Sequence, residues 1–243
     1  TSPDSSTQSS SQSTDKADGG HSSNGAGTDN ANGTGGVGGT DGADGNGQDT
    51  VTDNPLKIVE SGWSANQQGY VHYAFALRNT STTQQVQYPQ ITITGRAKDG
   101  SIVFSQTQTL IMAFPNQTVY NAGQAGEGTA PATVDFVVLS PDTYNVTEAQ
   151  GTATFPISGT SKIDNRDGGT TFNGEVRAVA DGFKPSDGQQ IKISLVLRNA
   201  QNAIIYGDIT FVDWPGNGRS APFSITVYDL PKYASYDLYA QIW

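Results

Sequence analysis

Between Ile91 and Phe104 the chain sets apolar residues at every second position: Ile91 and Ile93, then Ile102 and Phe104 beyond a Lys98-Asp99-Gly100-Ser101 turn. Period-two alternation on either side of an Asp-Gly predicts a β-hairpin. The pattern returns about a hundred residues later in Ile191–Tyr206, where an offset of 102 places Ile91 on Ile193, Ile93 on Leu195, Arg96 on Arg198, Ile102 on Ile204 and Phe104 on Tyr206. Around the first hairpin the pattern predicts strands at Leu56–Val59, at Tyr70–Asn79 with Val71, Tyr73, Phe75 and Leu77 on one face, at Gln106–Met112, and a closing strand at Pro131–Leu139. A polar loop fills 79–85, and Phe114-Pro115-Asn116-Gln117-Thr118 reads as a turn. In the second copy Ile157 stands 99 residues after Ile58, and Val176-Arg177 stand 99 after Leu77-Arg78. Trp214-Pro215-Gly216-Asn217 takes the place of the Phe114 turn, Phe223–Val227 matches the closing strand, and a further strand runs from Tyr236 to Trp243. Strands at this spacing, dense turn residues and no helical period predict an all-β chain of two tandem immunoglobulin-like antiparallel β-sandwiches, 55–150 and 151–243.

Residues 1–54 are of another kind. They hold 12 of the 29 glycines and eight of the 23 acidic residues, one lysine, no arginine and no aromatic residue. Such a segment buries too little apolar surface to offset the roughly 1–2 kcal/mol per residue that ordering costs, so it is expected to be a disordered tether. Of the net charge of −10, −7 sits there, which leaves the sandwiches only mildly acidic. Without a basic stripe, nucleic acid and anionic membranes are poor partners. The absence of cysteine excludes disulfides, thiolate metal sites and a cysteine nucleophile. No apolar run reaches the ~18 residues that a membrane-spanning helix requires. The sequence begins at Thr1 and not at Met, which reads as a processed or trimmed start.

The strand ends Leu195-Val196-Leu197-Arg198-Asn199 and Ile93-Thr94-Gly95-Arg96-Ala97, each followed by a short turn and a returning strand, resemble the FxLYD family of bacterial extracellular β-sandwich domains. The Phe114-Pro115-Asn116-Gln117-Thr118 turn is similar to that family's Pro-Gly-Gln/Glu-Thr turn. Neither strand end carries the family's Tyr-Asp pair, so the match is degenerate. The resemblance covers 55–243 as two units. It implies a secreted protein or lipoprotein carried behind a Ser/Asp/Gly-rich linker, with an anchoring cysteine upstream of Thr1, and it brings no catalytic residues.

Catalysis finds little footing. Nucleophilic mechanisms need a base near the nucleophile, usually histidine, and the chain has only His21, in the tether, and His72, which alternates with Val71 and Tyr73 and reads as a surface or edge residue. Among the carboxylates, Asp208, Asp213, Asp229 and Asp237 read as solvent-face or turn residues, and no acid/base pair stands out. The Asp41–Asp53 run is rich in oxygen ligands but lacks the EF-hand spacing, with Thr52 where a glutamate belongs. No enzyme, metal or cofactor is expected. Exposed tryptophan and tyrosine beside amides can make a sugar-binding face, which nominates Trp63, Trp214 and Tyr233 as ligand contacts, although both tryptophans are more readily core residues. Tandem sandwiches on bacterial surfaces can also join a lysine to an asparagine through a buried carboxylate, with Lys57 and Lys162 the lysines that open each domain. The expected function is a non-catalytic binding or spacing protein of the bacterial surface, lipid-anchored at its N-terminus, whose partner is an envelope protein, a host surface protein or a glycan.

Overall fold

The computed structural model describes residues 54–243; the tether, His21 and the Asp41–Asp53 run lie outside them. The first half contains β1 (Leu56–Ala65), β2 (Val71–Asn79), β3 (Gln84–Gln87), β4 (Gln90–Arg96), β5 (Ile102–Thr109), β6 (Met112–Ala113), β7 (Thr118–Ala125), β8 (Thr133–Val138) and β9 (Val146–Glu148). The second contains β10 (Thr152–Thr154), β11 (Ile157–Asp164), β12 (Thr170–Arg177), β13 (Val179–Asp181), β14 (Gln190–Arg198), β15 (Ile204–Asp213), β16 (Ser220–Val227) and β17 (Ser235–Ile242). Each half is an antiparallel sandwich. In the first, sheet β1-β2-β7 faces sheet β5-β4-β8, and β6-β3-β9 closes one end. In the second, β11-β12-β16 faces β15-β14-β17, beside the small β10-β13 pair. Counting only the six long strands of each half, the second pairs with the fifth and the third with the sixth, the immunoglobulin-like arrangement.

Alternation explains the two cores. Val71, Tyr73, Phe75 and Leu77 of β2 meet Ile91 and Ile93 of β4, Phe104 of β5 and Phe136 of β8. Phe172 and Val176 of β12 meet Ile191, Ile193, Leu195 and Leu197 of β14 and Phe223, Ile225 and Val227 of β16. The hairpin repeat is kept to the residue. Ile91 stands opposite Gln108 and Ile193 opposite Thr210, and both ladders slip once, next to Arg96 and next to Arg198. Each turn also closes on a left-handed residue at the same offset, Gly100 and Asn202.

The structure corrects the strand matching at one point. Phe223–Val227 lies in β16, which pairs with β12 as β7 pairs with β2. The counterpart of the closing strand β8 is the terminal strand β17, since Arg96 stands opposite Thr133 and Arg198 opposite Ser235. The error came from β7, whose sequence Thr-Val-Tyr-Asn-Ala-Gly-Gln-Ala has too few large apolar residues to read as a strand. Its small residues have a structural cause, because a second sandwich covers its outer face.

Candidate functional site

The two sandwiches meet sheet to sheet, β1-β2-β7 against β15-β14-β17, within one compact unit. Ala74, Ala122, Val196 and Ile204 form a small apolar cluster between these sheets, flanked by Tyr120, Ile209 and Tyr239. Two glycines let the backbones close up. A Cβ on Gly62 would lie 1.8 Å from the Ile204 carbonyl oxygen, and one on Gly207 would lie 2.3 Å from that of Tyr73.

Arg198 is the main polar anchor. Its Nη1 and Nη2 donate to the two carboxylate oxygens of Glu60 at 2.7 and 2.9 Å, and its Nε donates to Asp237 at 2.7 Å. The fork therefore joins β14 to β1 of the other sandwich and to β17 of its own, in the bidentate geometry that makes such pairs strong. Tyr120 donates its hydroxyl to the same Glu60 at 2.6 Å and stacks on Tyr239 with ring centroids 3.7 Å apart. The Arg198 hydrogen bonds hold the Glu60 carboxyl below the usual carboxylate range, and burial pushes the Tyr120 phenol up. The first sandwich carries the same device at an offset of 102, Arg96 paired with Asp135 and with the Gly100 carbonyl, but there it faces solvent.

A second polar knot lies at the edge of β7. Lys192 Nζ donates to Asn121 Oδ1 at 2.8 Å, and Gln241 Nε2 donates to the same oxygen at 2.9 Å. All three side chains are buried. Lys192 also lies over the Trp243 ring at 4.3 Å, and burial pushes its amine down to about 8. Ser194 accepts from the Ala122 amide at 3.2 Å, completing the polar seam.

Where the sandwiches diverge, a cleft of about 320 Å³ opens between the β1–β2 turn and the β16–β17 loop. Its walls include Asn66, Gln68, His72, Tyr206, Tyr228 and Asp229. His72 is no simple surface residue: its ring stacks on Tyr206 across the junction at 4.7 Å, 3.9 Å from Asp208. Tyr228 is exposed and donates its hydroxyl to Asp167 at 3.1 Å.

The aromatic residues nominated from sequence do not converge. Trp63 packs against the first core, and Trp214 packs edge-on to Phe155 in the second. Tyr233 lines a separate shallow hollow with Lys162 and Asp164. Lys57 and Lys162 are exposed, so neither can supply a buried crosslink; the buried lysine is Lys192. Its place could have been read from β14, where one charged residue interrupts a long apolar run. No group of metal-ligating side chains occurs among the described residues.

No protein-family model matches the chain, and no curated protein is similar to it. Among solved structures, the crystal structure of the exo-chitosanase CsxA of Amycolatopsis orientalis is similar at 11% identity over 73% of this chain, with a TM-score of 0.20. The matched region is 24% of that enzyme's chain, and a likeness at this level carries nothing about activity.

Proposed function

We propose that this chain is a non-catalytic binding and spacing module of a bacterial surface or secreted protein, its two sandwiches acting as one stiff body carried behind the Gly/Asp/Ser-rich N-terminal segment. The carrying observation is the seam itself. Arg198, Glu60 and Asp237, the Lys192–Asn121–Gln241 knot and the glycine contacts resist hinge motion between the sandwiches. The Gly/Asp/Ser-rich composition of 1–54 and the resemblance to FxLYD domains support placement outside the cell on a lipid anchor. The partner on this reading is an envelope or host surface protein. On intact cells of the source organism, a membrane-impermeant amine reagent should label the exposed Lys98 and Lys184. Labelling that appears only after lysis would contradict the surface reading.

The cleft favours a second reading, glycan binding. Tyr228 offers an exposed ring, and Asn66, Gln68 and Asp229 offer hydrogen-bonding edges beside it. The expected contacts are therefore these residues in place of Trp63, Trp214 and Tyr233. Titration calorimetry of the full chain against a broad glycan panel should find one saturable sugar class. Tyr228→Ala should weaken it about 3- to 10-fold, the loss of one aromatic contact. A flat response to every glycan, or full affinity in Tyr228→Ala, would remove this reading.

A further inference from the structure

Lys192 is an unusual lysine. It lies at the seam of two sandwiches, 2% exposed, and pairs with no carboxylate among the described residues. A buried ammonium without a counter-ion is costly, and burial pushes this amine down to about 8, so a larger share stands as the neutral, nucleophilic amine than in an exposed lysine. Its nitrogen is already held 2.8 Å from Asn121 Oδ1, with the carboxamide carbon one carbonyl bond of about 1.2 Å beyond that oxygen. Gln241 Nε2 donates to the same Oδ1 and polarises the carbonyl, as a hydrogen bond to a developing oxyanion does. The Asn121 Nδ2 group is buried without a hydrogen-bond partner among the described residues, so no hydrogen bond from them holds the leaving nitrogen in place.

We propose that Lys192 and Asn121 condense into an intramolecular amide that ties the first sandwich covalently to the second. The Nζ lone pair attacks Asn121 Cγ, forming the Nζ–Cγ bond and moving the carbonyl electron pair onto Oδ1 against Gln241. When the carbonyl re-forms, the Cγ–Nδ2 bond breaks. One Nζ proton passes to Nδ2, which departs as ammonia, and Nζ keeps one hydrogen as a secondary amide. No oxidant, reductant or other reactant is consumed. The fixed approach supplies the high effective concentration that such a condensation needs, and the product replaces a buried amine with a neutral amide. The polarising group is an amide N–H, in contrast to the buried carboxylate of the crosslinks considered from sequence. The exposed Lys57 and Lys162 lack these surroundings.

Intact-mass spectrometry of the full chain tests this directly. The expected mass is lower than the sequence mass by one ammonia, and digestion should yield a branched peptide joining the segments that carry Asn121 and Lys192. Lys192→Arg should restore the full sequence mass, whereas Lys162→Arg should still lose ammonia. A wild-type chain at its full sequence mass would overturn the proposal. So would an ammonia loss confined to Asn121 with no branch, which marks a cyclic imide, or a loss that persists in Lys192→Arg.

Discussion

Arg198→Ala is expected to destabilise the folded chain by about 3 kcal/mol, the lower end of what removing one partner of a buried ion pair costs, while Arg96→Ala costs less than about 1 kcal/mol, as exposed pairs do. The two arginines stand 102 residues apart, at the same register of the same hairpin, each paired with an aspartate and a turn carbonyl. They differ in surroundings: the Arg198 side chain is 6% exposed and that of Arg96 is 42% exposed. Only Arg198 also grips Glu60, and its loss leaves that carboxylate in the seam with Tyr120 alone. The partial exposure of Glu60 and Asp237 keeps the expected cost at the lower end of the range. Urea denaturation of the two variants beside wild type checks the pair. Because the folded Glu60 carboxyl titrates below its ordinary value, its contribution is complete above the unfolded value of about 4.3 and is lost as the pH falls through the folded one. Acid should therefore erode wild type more than Arg198→Ala over that window. Equal losses for both arginines at neutral pH would contradict the assignment.

Gly207→Val and Gly62→Ala should cost at or above the upper end of the roughly 1–3 kcal/mol typical of overpacking. At both positions the nearest atom to an added Cβ is a backbone oxygen of the opposite sandwich, at 2.3 Å for Gly207 and 1.8 Å for Gly62. A side chain could rotate away; a ladder carbonyl cannot move without its sheet. The clash falls between the sandwiches, so each core should survive while the seam opens. Scanning calorimetry of either variant should show the melting endotherm broadened or split, with far-ultraviolet circular dichroism at low temperature close to wild type. A variant melting as one transition at the wild-type temperature would show that the sheets do not approach this closely.

Much of this architecture was legible because a strand with one buried face writes its period into the sequence, as Ile91/Ile93 and Ile193/Leu195 do. The offset of 102 holds on both strands of the hairpin because the two turns have the same length. Strand β7 was hidden by the seam: with Tyr120 and Ala122 turned to the second sandwich, its outer face needs small and polar residues that resemble a loop. The same blindness applied to function. His72 and Asp208 looked like solvent-face residues because nothing local marks a side chain whose partner lies in another domain. Trp63 and Trp214 stood out by residue type, yet each packs, half-buried, against its own core. Lys192 and Asn121, 71 residues apart, meet only once both sandwiches are folded and docked.

The most direct test of the account is scanning calorimetry of the unsubstituted full chain. If the seam makes the two sandwiches one cooperative body, residues 54–243 melt in a single transition whose calorimetric enthalpy equals the van't Hoff enthalpy. Two resolved transitions, or a calorimetric enthalpy about twice the van't Hoff value, would mean that the sandwiches unfold independently. That result would contradict the stiff body on which the proposed spacing role depends.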